Sequence, residues 1–171
     1  MFHKIIKLIL AAAINAYAIF QFVEGNIGNG IFLVLSSTIF IFLYYRNEFI
    51  LIAFLKMRKQ DLVGTANWLG KIKNPEAALT TKQQGYYNYL HGIIYSQTNL
   101  SQAEKFFKKA LKLGLSMDYD LAMAKLSLAG IAMQKRRKRE ATTLLQEAKK
   151  LDKQNMLGEQ IKMMSQQLKK I

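Results

Sequence analysis

The chain of 171 residues contains no cysteine, one proline and two histidines. Without cysteine it can form neither a disulfide framework nor a thiolate metal site, and nothing in its composition requires an oxidising compartment. Acidic residues are also few, with 11 Asp and Glu against 25 Lys and Arg, so the formal net charge is +14. The residue types on which metal binding and acid–base catalysis depend are therefore scarce.

The few remaining candidates for chemistry have ordinary structural interpretations. His3 lies near the amino terminus, and His91 lies in a helical stretch where a packed or surface histidine is the common role. Asp118 and Asp120 could form a carboxylate pair or half of a calcium site, but we expect them to cap the helix that follows and to interact favourably with its dipole. Catalysis requires grouped reactive side chains, so we expect no enzyme activity, no cofactor and no metal.

Two long apolar runs, residues 5–23 and 28–45, occupy the first part of the chain. They cover 19 and 18 positions, and at ~1.5 Å per helical residue each spans roughly 28 Å of hydrocarbon. The glycines of residues 24–30 join these runs, so they indicate a turn and not a phosphate-binding loop between a strand and a helix. We expect residues 1–55 to form a transmembrane helical hairpin with a juxtamembrane segment.

The amino terminus also resembles a signal peptide. A basic stretch precedes an apolar one, and Ala16, Tyr17 and Ala18 match an A-x-A cleavage site. Against cleavage, the apolar run continues to Val23 and a second run follows at once. Cleavage stays an alternative, which would remove the first span and leave the large domain on the same side.

Positive charge is asymmetric around the predicted hairpin. The connecting loop contains no Lys or Arg, whereas cations precede the first run and follow the second, at Lys4, Lys7, Arg46, Lys56, Arg58 and Lys59. Because positively charged flanks stay inside, we expect a two-pass protein whose amino terminus and large domain are both cytoplasmic.

Several uncharged polar side chains lie within the two runs. We expect Asn15 and Gln21 to form hydrogen bonds across the hairpin. The serine and threonine hydroxyls of the second run should instead bond back to carbonyls of their own helix. A polar transport path is the alternative, but such paths usually contain a charge or a broken helix. The hydroxyls belong to Ser36, Ser37 and Thr38.

The soluble part, residues 56–171, carries 22 of the 25 basic and 9 of the 11 acidic residues, a formal +13. Apolar residues recur there with the helical period of 3.6, so the fold class predicted for the chain is all-α. A turn at residues 98–101 should end with Ser101 as a helix N-cap. The helical stripes are 49–57, 61–72, 82–97, 101–113, 119–134, 138–151 and 156–168.

A repeat of 38 residues relates two helix pairs. Ala103, Phe107 and Ala110 recur as Ala141, Leu145 and Ala148, and Leu90 maps onto Leu128 at the same displacement. Small alanines allow neighbouring helices to approach while the large residue fills the remaining space. Close helix contacts are therefore predicted at these alanines.

This spacing resembles the second helix of a tetratricopeptide repeat (TPR), and Tyr87, Leu90 and Gly92 resemble the first. The resemblance covers about residues 47–155 and implies an α-solenoid of two or three TPR-like helix pairs, which the apolar face of residues 156–168 would cap. His91, Lys125 and the 38-residue offset depart from the family pattern, whose usual period is ~34 residues.

The resemblance further implies a groove, lined by first helices, that binds a peptide or helix of a protein partner. The residues at the groove positions are Asn88, Tyr95, Met123, Leu126, Met133 and Gln134.

Five consecutive cations form the densest charge run of the chain. They suit a solvated turn, or contact with anionic lipid headgroups or an acidic protein. Nucleic acid is a weaker alternative because the aromatic residues do not interleave with the basic ones. The run comprises Lys135, Arg136, Arg137, Lys138 and Arg139.

Two functions fit these features. The first is a membrane-anchored TPR-like scaffold that mediates protein–protein interaction at the cytoplasmic face. The second is a structural accessory subunit of a larger membrane complex, in which the hairpin packs against other spans.

Overall fold

The computed structural model describes residues 4–45 and 47–170, and its regular structure there is entirely helical, as predicted. His3 and Arg46 lie outside the described residues. The helices are α1 Lys4–Val23, α2 Ile27–Tyr45, α3 Glu48–Arg58, α4 Leu62–Gly70, α5 Pro75–Ala78, α6 Thr81–Tyr95, α7 Leu100–Leu113, α8 Asp118–Gln134, α9 Lys138–Leu151 and α10 Gly158–Lys169.

The predicted helical segments agree with these bounds to within two residues at each end. The four-residue helix α5 was not predicted, because one turn is too short to show a period. By their contacts, the residues form two compact units, 1–51 and 52–171. This division and the predicted boundary at residue 55 both fall within α3.

In the first unit, α1 and α2 pack against each other. Gly25, with a φ of +79°, forms the turn between them, and Gly30 allows a close approach of the Phe22 ring, which a Cβ atom would meet at 2.6 Å. Among the described residues, the stretch Ile6–Val23 is long and apolar enough to cross a membrane. The apolar stretch of α2, Ile27–Phe42, is shorter, so a second span stays a prediction.

The amides of α1 form their hydrogen bonds within the helix. Asn15 Nδ2 donates to the Ala11 carbonyl at 2.9 Å and Gln21 Nε2 donates to the Tyr17 hydroxyl at 3.1 Å. The prediction of bonds across the helix pair is wrong for these two residues, because each amide reaches a partner one turn earlier on its own helix. The hydroxyls bond back to carbonyls of α2 as predicted, at Ser36, Ser37 and Thr38.

An ion pair joins the start of α1 to the start of α3. Lys7 Nζ lies 2.7 Å from Glu48 Oε2, and the Lys7 side chain is only 7% exposed. The pair bridges 41 positions of sequence, so it holds these two helix starts together within the first unit.

In the second unit, successive helices pack against each other, α6 on α7, α7 on α8, α8 on α9 and α9 on α10. Helices α7 and α9 each turn one apolar stripe inward, and the two stripes are related by the 38-residue displacement. Their buried residues are Ala103, Phe107 and Ala110 on α7 and Ala141, Leu145 and Ala148 on α9.

The contact between α6 and α7 depends on a glycine. A Cβ atom on Gly92 would lie 2.8 Å from the fully buried Phe107 ring. Helix α7 begins at an Asn99 cap, whose side chain accepts from the backbone N–H groups of Ser101 and Gln102. The prediction of Ser101 as the cap is therefore wrong by two residues, because the longer Asn99 side chain reaches both N–H groups.

Candidate functional site

The residues predicted to line a partner groove differ in exposure. Asn88, Leu126 and Met133 are buried, so little of these side chains is left for a partner to contact. Tyr95 and Met123 are half-buried, and Gln134 is exposed.

The composition of helix α8 explains the burial of Leu126 and Met133. Its sequence has apolar residues around the whole circumference, and a helix of that kind is covered on all sides. Leu126 and Met133 pack in a core shared with α9 and α10, and Met123 packs against its edge. Asn88, on α6, donates its amide to the carbonyl of Gln84 on its own helix at 2.7 Å.

The five-cation run lies at the turn between α8 and α9, and part of it is bound to α7. Arg137 makes two parallel bonds to the Glu104 carboxylate, of 2.9 and 2.7 Å, and Lys135 donates to the same carboxylate at 2.8 Å. Lys108, one turn after Glu104, adds a bond of 2.7 Å, and Arg137 also pairs with Glu140 at 2.8 Å. The run is thus not a uniformly solvated turn.

Glu104 is the centre of this network and is 13% exposed. The bidentate Arg137 guanidinium lowers the pKa of Glu104 far below its ordinary value of 4.5, and Lys108 and Lys135 lower it further, although partial burial opposes the shift. The same pairing raises the pKa of Arg137. The carboxylate therefore stays ionised throughout the neutral range.

The other three cations of the run, Arg136, Lys138 and Arg139, are exposed and form no ion pair within the described part of the chain. Only these three side chains offer their full charge to a lipid surface or an acidic partner. One feature of the sequence could have indicated this network: Glu104 is the single acidic residue of α7, a helix that carries four lysines.

Aromatic side chains form a half-buried cluster on α6 and α7. The His91 ring lies 4.5 Å from Tyr87, 5.1 Å from Phe106 and 6.2 Å from Tyr95, between ring centroids. Burial lowers the pKa of His91, so the imidazole is neutral at pH 7. Its position agrees with the packed role expected from the sequence.

Asp118 and Asp120 do not cap α8 with their side chains. They lie in its first turn, after an N-cap at Met117, and there they favour the helix dipole. Asp120 is buried and accepts a bond of 2.6 Å from the Tyr86 hydroxyl, whereas Asp118 pairs with Lys153 at 2.8 Å. The capping prediction is wrong because these carboxylates lie inside the helix and meet partners elsewhere in the fold, Asp120 on α6 and Asp118 in the turn between α9 and α10.

Burial, together with the bond to Asp120, raises the pKa of Tyr86 to about 12. The tyrosine therefore stays protonated and donates to the buried carboxylate. Within residues 4–45 and 47–170, no group of three His, Asp or Glu side chains is placed to bind a metal.

Two of the clefts in the second unit are large enough for part of a peptide. One, of about 510 Å³, is lined by α5, α6 and α7 and includes Tyr87, Asn88 and Phe106. The other, of about 480 Å³, lies between α9 and α10 and is rimmed by Lys138, Lys149 and Lys169. Neither cleft could be predicted from the sequence pattern, because each forms between helices whose mutual packing the pattern does not determine.

Compared with models of protein families, with curated proteins and with solved structures, the chain matches none of them.

Proposed function

We propose that this chain is a membrane-anchored, TPR-like scaffold. Residues 1–55 hold the helical domain of residues 56–171 at the cytoplasmic face of a membrane as a two-pass hairpin. The domain binds a peptide or helix of a protein partner and performs no chemistry of its own.

The observation that carries this proposal is the repeated packing of helix pairs. The same three positions are buried on α7 and on α9, 38 residues apart, and the first-helix residues Leu90 and Leu128 are buried at the same displacement. Stacked pairs of this kind present extended, preformed surfaces, which suit the binding of peptides and helices.

The exposed surface of the first unit supports the membrane anchor. Large apolar side chains on both helices are more than half exposed, and covering the exposed part of each with hydrocarbon stabilises it by about 1–2 kcal/mol relative to water. The most exposed are Ile9, Ile19 and Val23 on α1 and Ile27, Phe32 and Leu35 on α2.

The ion pair between Lys7 and Glu48 supports the topology. A contact between the starts of α1 and α3 favours an arrangement in which α2 returns the chain to the side of the membrane where α1 began.

The absence of native cysteine makes the topology directly testable. We expect a membrane-impermeant maleimide to label Asn26→Cys in intact cells, and to label Gln146→Cys only after permeabilisation. Both side chains are exposed, so accessibility within the fold does not distinguish them. Labelling of Gln146→Cys but not Asn26→Cys in intact cells would show that the orientation is inverted.

Partner binding requires a separate experiment. After gentle detergent extraction, mass spectrometry should find soluble proteins whose recovery falls on Met123→Glu, a half-buried position on the first helix of the second pair. Met133→Glu is unsuitable because Met133 is buried and the substitution would disturb the core. Stoichiometric recovery of membrane subunits, unaffected by Met123→Glu, would instead favour the accessory-subunit alternative.

A further inference from the structure

The cleft between α9 and α10 combines an apolar floor with a basic rim. Its floor is formed by three buried residues, Leu145, Ile161 and Leu168, and its volume is about 480 Å³. Three exposed lysines surround it, and none of the residues that line it is acidic. The rim residues are Lys138, Lys149 and Lys169.

The rim lysines have no ion-pair partner within the described part of the chain. The hydroxyls of Thr142 and Ser165 in the cleft wall already donate to carbonyls of their own helices. Besides the exposed Gln146 amide, charge is therefore the main polar attraction that the cleft offers. An ammonium group acts as a point charge, which suits carboxylates distributed along a partner.

The length of the cleft suits a short helix. Lys138 and Lys149 are 11 positions apart on α9, which corresponds to about 16 Å or three helical turns. A helix with apolar residues at i, i+3 and i+4 could place that stripe on the floor and acidic residues against the rim.

We propose that the α9–α10 cleft binds an acidic amphipathic helix of a partner protein. This inference rests on the proposed scaffold function and specifies the chemistry of its partner. A second copy of the chain is disfavoured, because two chains of formal charge +14 repel each other. A flat lipid surface would reach the rim lysines but not the recessed floor, and so would use only half of the site.

The test uses the full chain in nanodiscs of zwitterionic phosphatidylcholine. The probe is a fluorescein-labelled designed helix about 24 Å long, with leucines on one face and flanking glutamates, and its binding is followed by fluorescence anisotropy. A peptide of the same composition with a scrambled order serves as reference. We expect the designed helix to bind and the scrambled peptide to bind at least about tenfold more weakly, because only the former presents both faces together.

Two triple variants with the same net charge locate the binding site. The cleft variant carries K138Q, K149Q and K169Q. The matched control carries K150Q on α9, K162Q on α10 and K170Q just after α10, and these three lysines are exposed and do not line the cleft. We expect about tenfold weaker binding for the cleft variant and less than about twofold change for the control. Far-ultraviolet circular dichroism should show equal helicity in both.

A steric variant separates the floor from the rim. Gln146→Trp retains all three lysines but places a large side chain in the cleft, and it should also weaken helix binding about tenfold or more. If the cleft variant is poorly folded, this substitution still tests the proposal.

Three outcomes would overturn the inference: no binding of the designed helix, equal loss in both triple variants, or full binding by Gln146→Trp. A parallel titration with phosphatidylserine vesicles tests the lipid alternative, in which the cleft variant would lose vesicle binding while retaining the peptide. None of these results would refute the anchored scaffold, because the labelling and co-purification experiments that test it do not depend on this cleft.

Discussion

Glu104→Gln is the most informative single perturbation of the helical domain. The carboxylate receives two bonds from Arg137, one from Lys135 and one from Lys108, so it ties α7 to the turn between α8 and α9. Glutamine has nearly the same shape but no charge, and it offers one oxygen acceptor in place of two. The substitution therefore removes the negative charge and part of the hydrogen bonding of the network without creating a cavity.

The magnitude follows from the exposure of the partners. An exposed ion pair contributes about 0.2–1 kcal/mol, and breaking a fully buried pair costs about 3–5 kcal/mol. Glu104 is 13% exposed, whereas Arg137 is 35% exposed, so the network lies between these limits. We expect a loss of about 2 kcal/mol in the free energy of unfolding, or roughly 6–10 °C in the midpoint for a unit of this size.

The assay is thermal and urea unfolding of the full chain in mild detergent, followed by circular dichroism. Glu76→Gln is the control, because Glu76 is 85% exposed and lies 3.9 Å from Lys109. That change should shift stability by less than about 0.5 kcal/mol. Equal stability of Glu104→Gln and Glu76→Gln would show that the Glu104 network does not stabilise the fold.

The pH dependence provides an independent check. Because folding lowers the pKa of Glu104, the unfolded chain binds the proton more tightly, and the stabilisation is complete above the ordinary pKa of 4.5 and is lost as the pH falls below it. The stability difference between wild type and Glu104→Gln should thus be largest above about pH 5 and shrink towards pH 2. A difference that is constant over this range would exclude the carboxylate as its source.

Further predictions concern helix packing. Ala110→Leu should destabilise the domain by about 1–3 kcal/mol because Ala110 is fully buried, whereas Ala77→Leu, at an exposed position, should be nearly neutral in the same unfolding assay. Unchanged stability of Ala110→Leu would contradict the repeat alignment. Gly92→Ala should also destabilise the domain by about 1–3 kcal/mol, because the new methyl group meets the buried Phe107 ring. Gly70→Ala, which meets no atom within 4 Å, should be neutral or stabilising by up to about 1 kcal/mol, and a loss as large as that of Gly92→Ala would refute the steric argument.

The helices could be predicted because the signal for each is local. An amphipathic stripe such as that of α9 repeats within the segment itself, and its predicted bounds match the structure at both ends. The repeat positions are likewise read from spacing and are buried as the packing argument requires. Caps were less predictable, since Asn99 and Ser101 are both good N-cap residues only two positions apart.

The site could not be predicted to the same degree because it depends on distant pairs. Glu104 lies 33 positions before Arg137, and Tyr86 lies 34 before Asp120, so no local pattern reveals either contact. The groove residues of α8 are a different case. They were predicted from the family resemblance, whereas the burial of Leu126 and Met133 follows from the apolar residues around the whole circumference of α8.

The ion pair between Lys7 and Glu48 also has a consequence for biosynthesis. Under the proposed topology, the orientation of the first span depends on Lys and Arg, while acidic residues contribute little to that choice. Glu48 leaves the ribosome 41 positions after Lys7, about 2–8 s later at ordinary elongation rates. Lys7 would thus act first as a topogenic charge during insertion, and would form its bond to Glu48 only when the chain has returned. Closure of this ion pair would then mark completion of the proposed anchor.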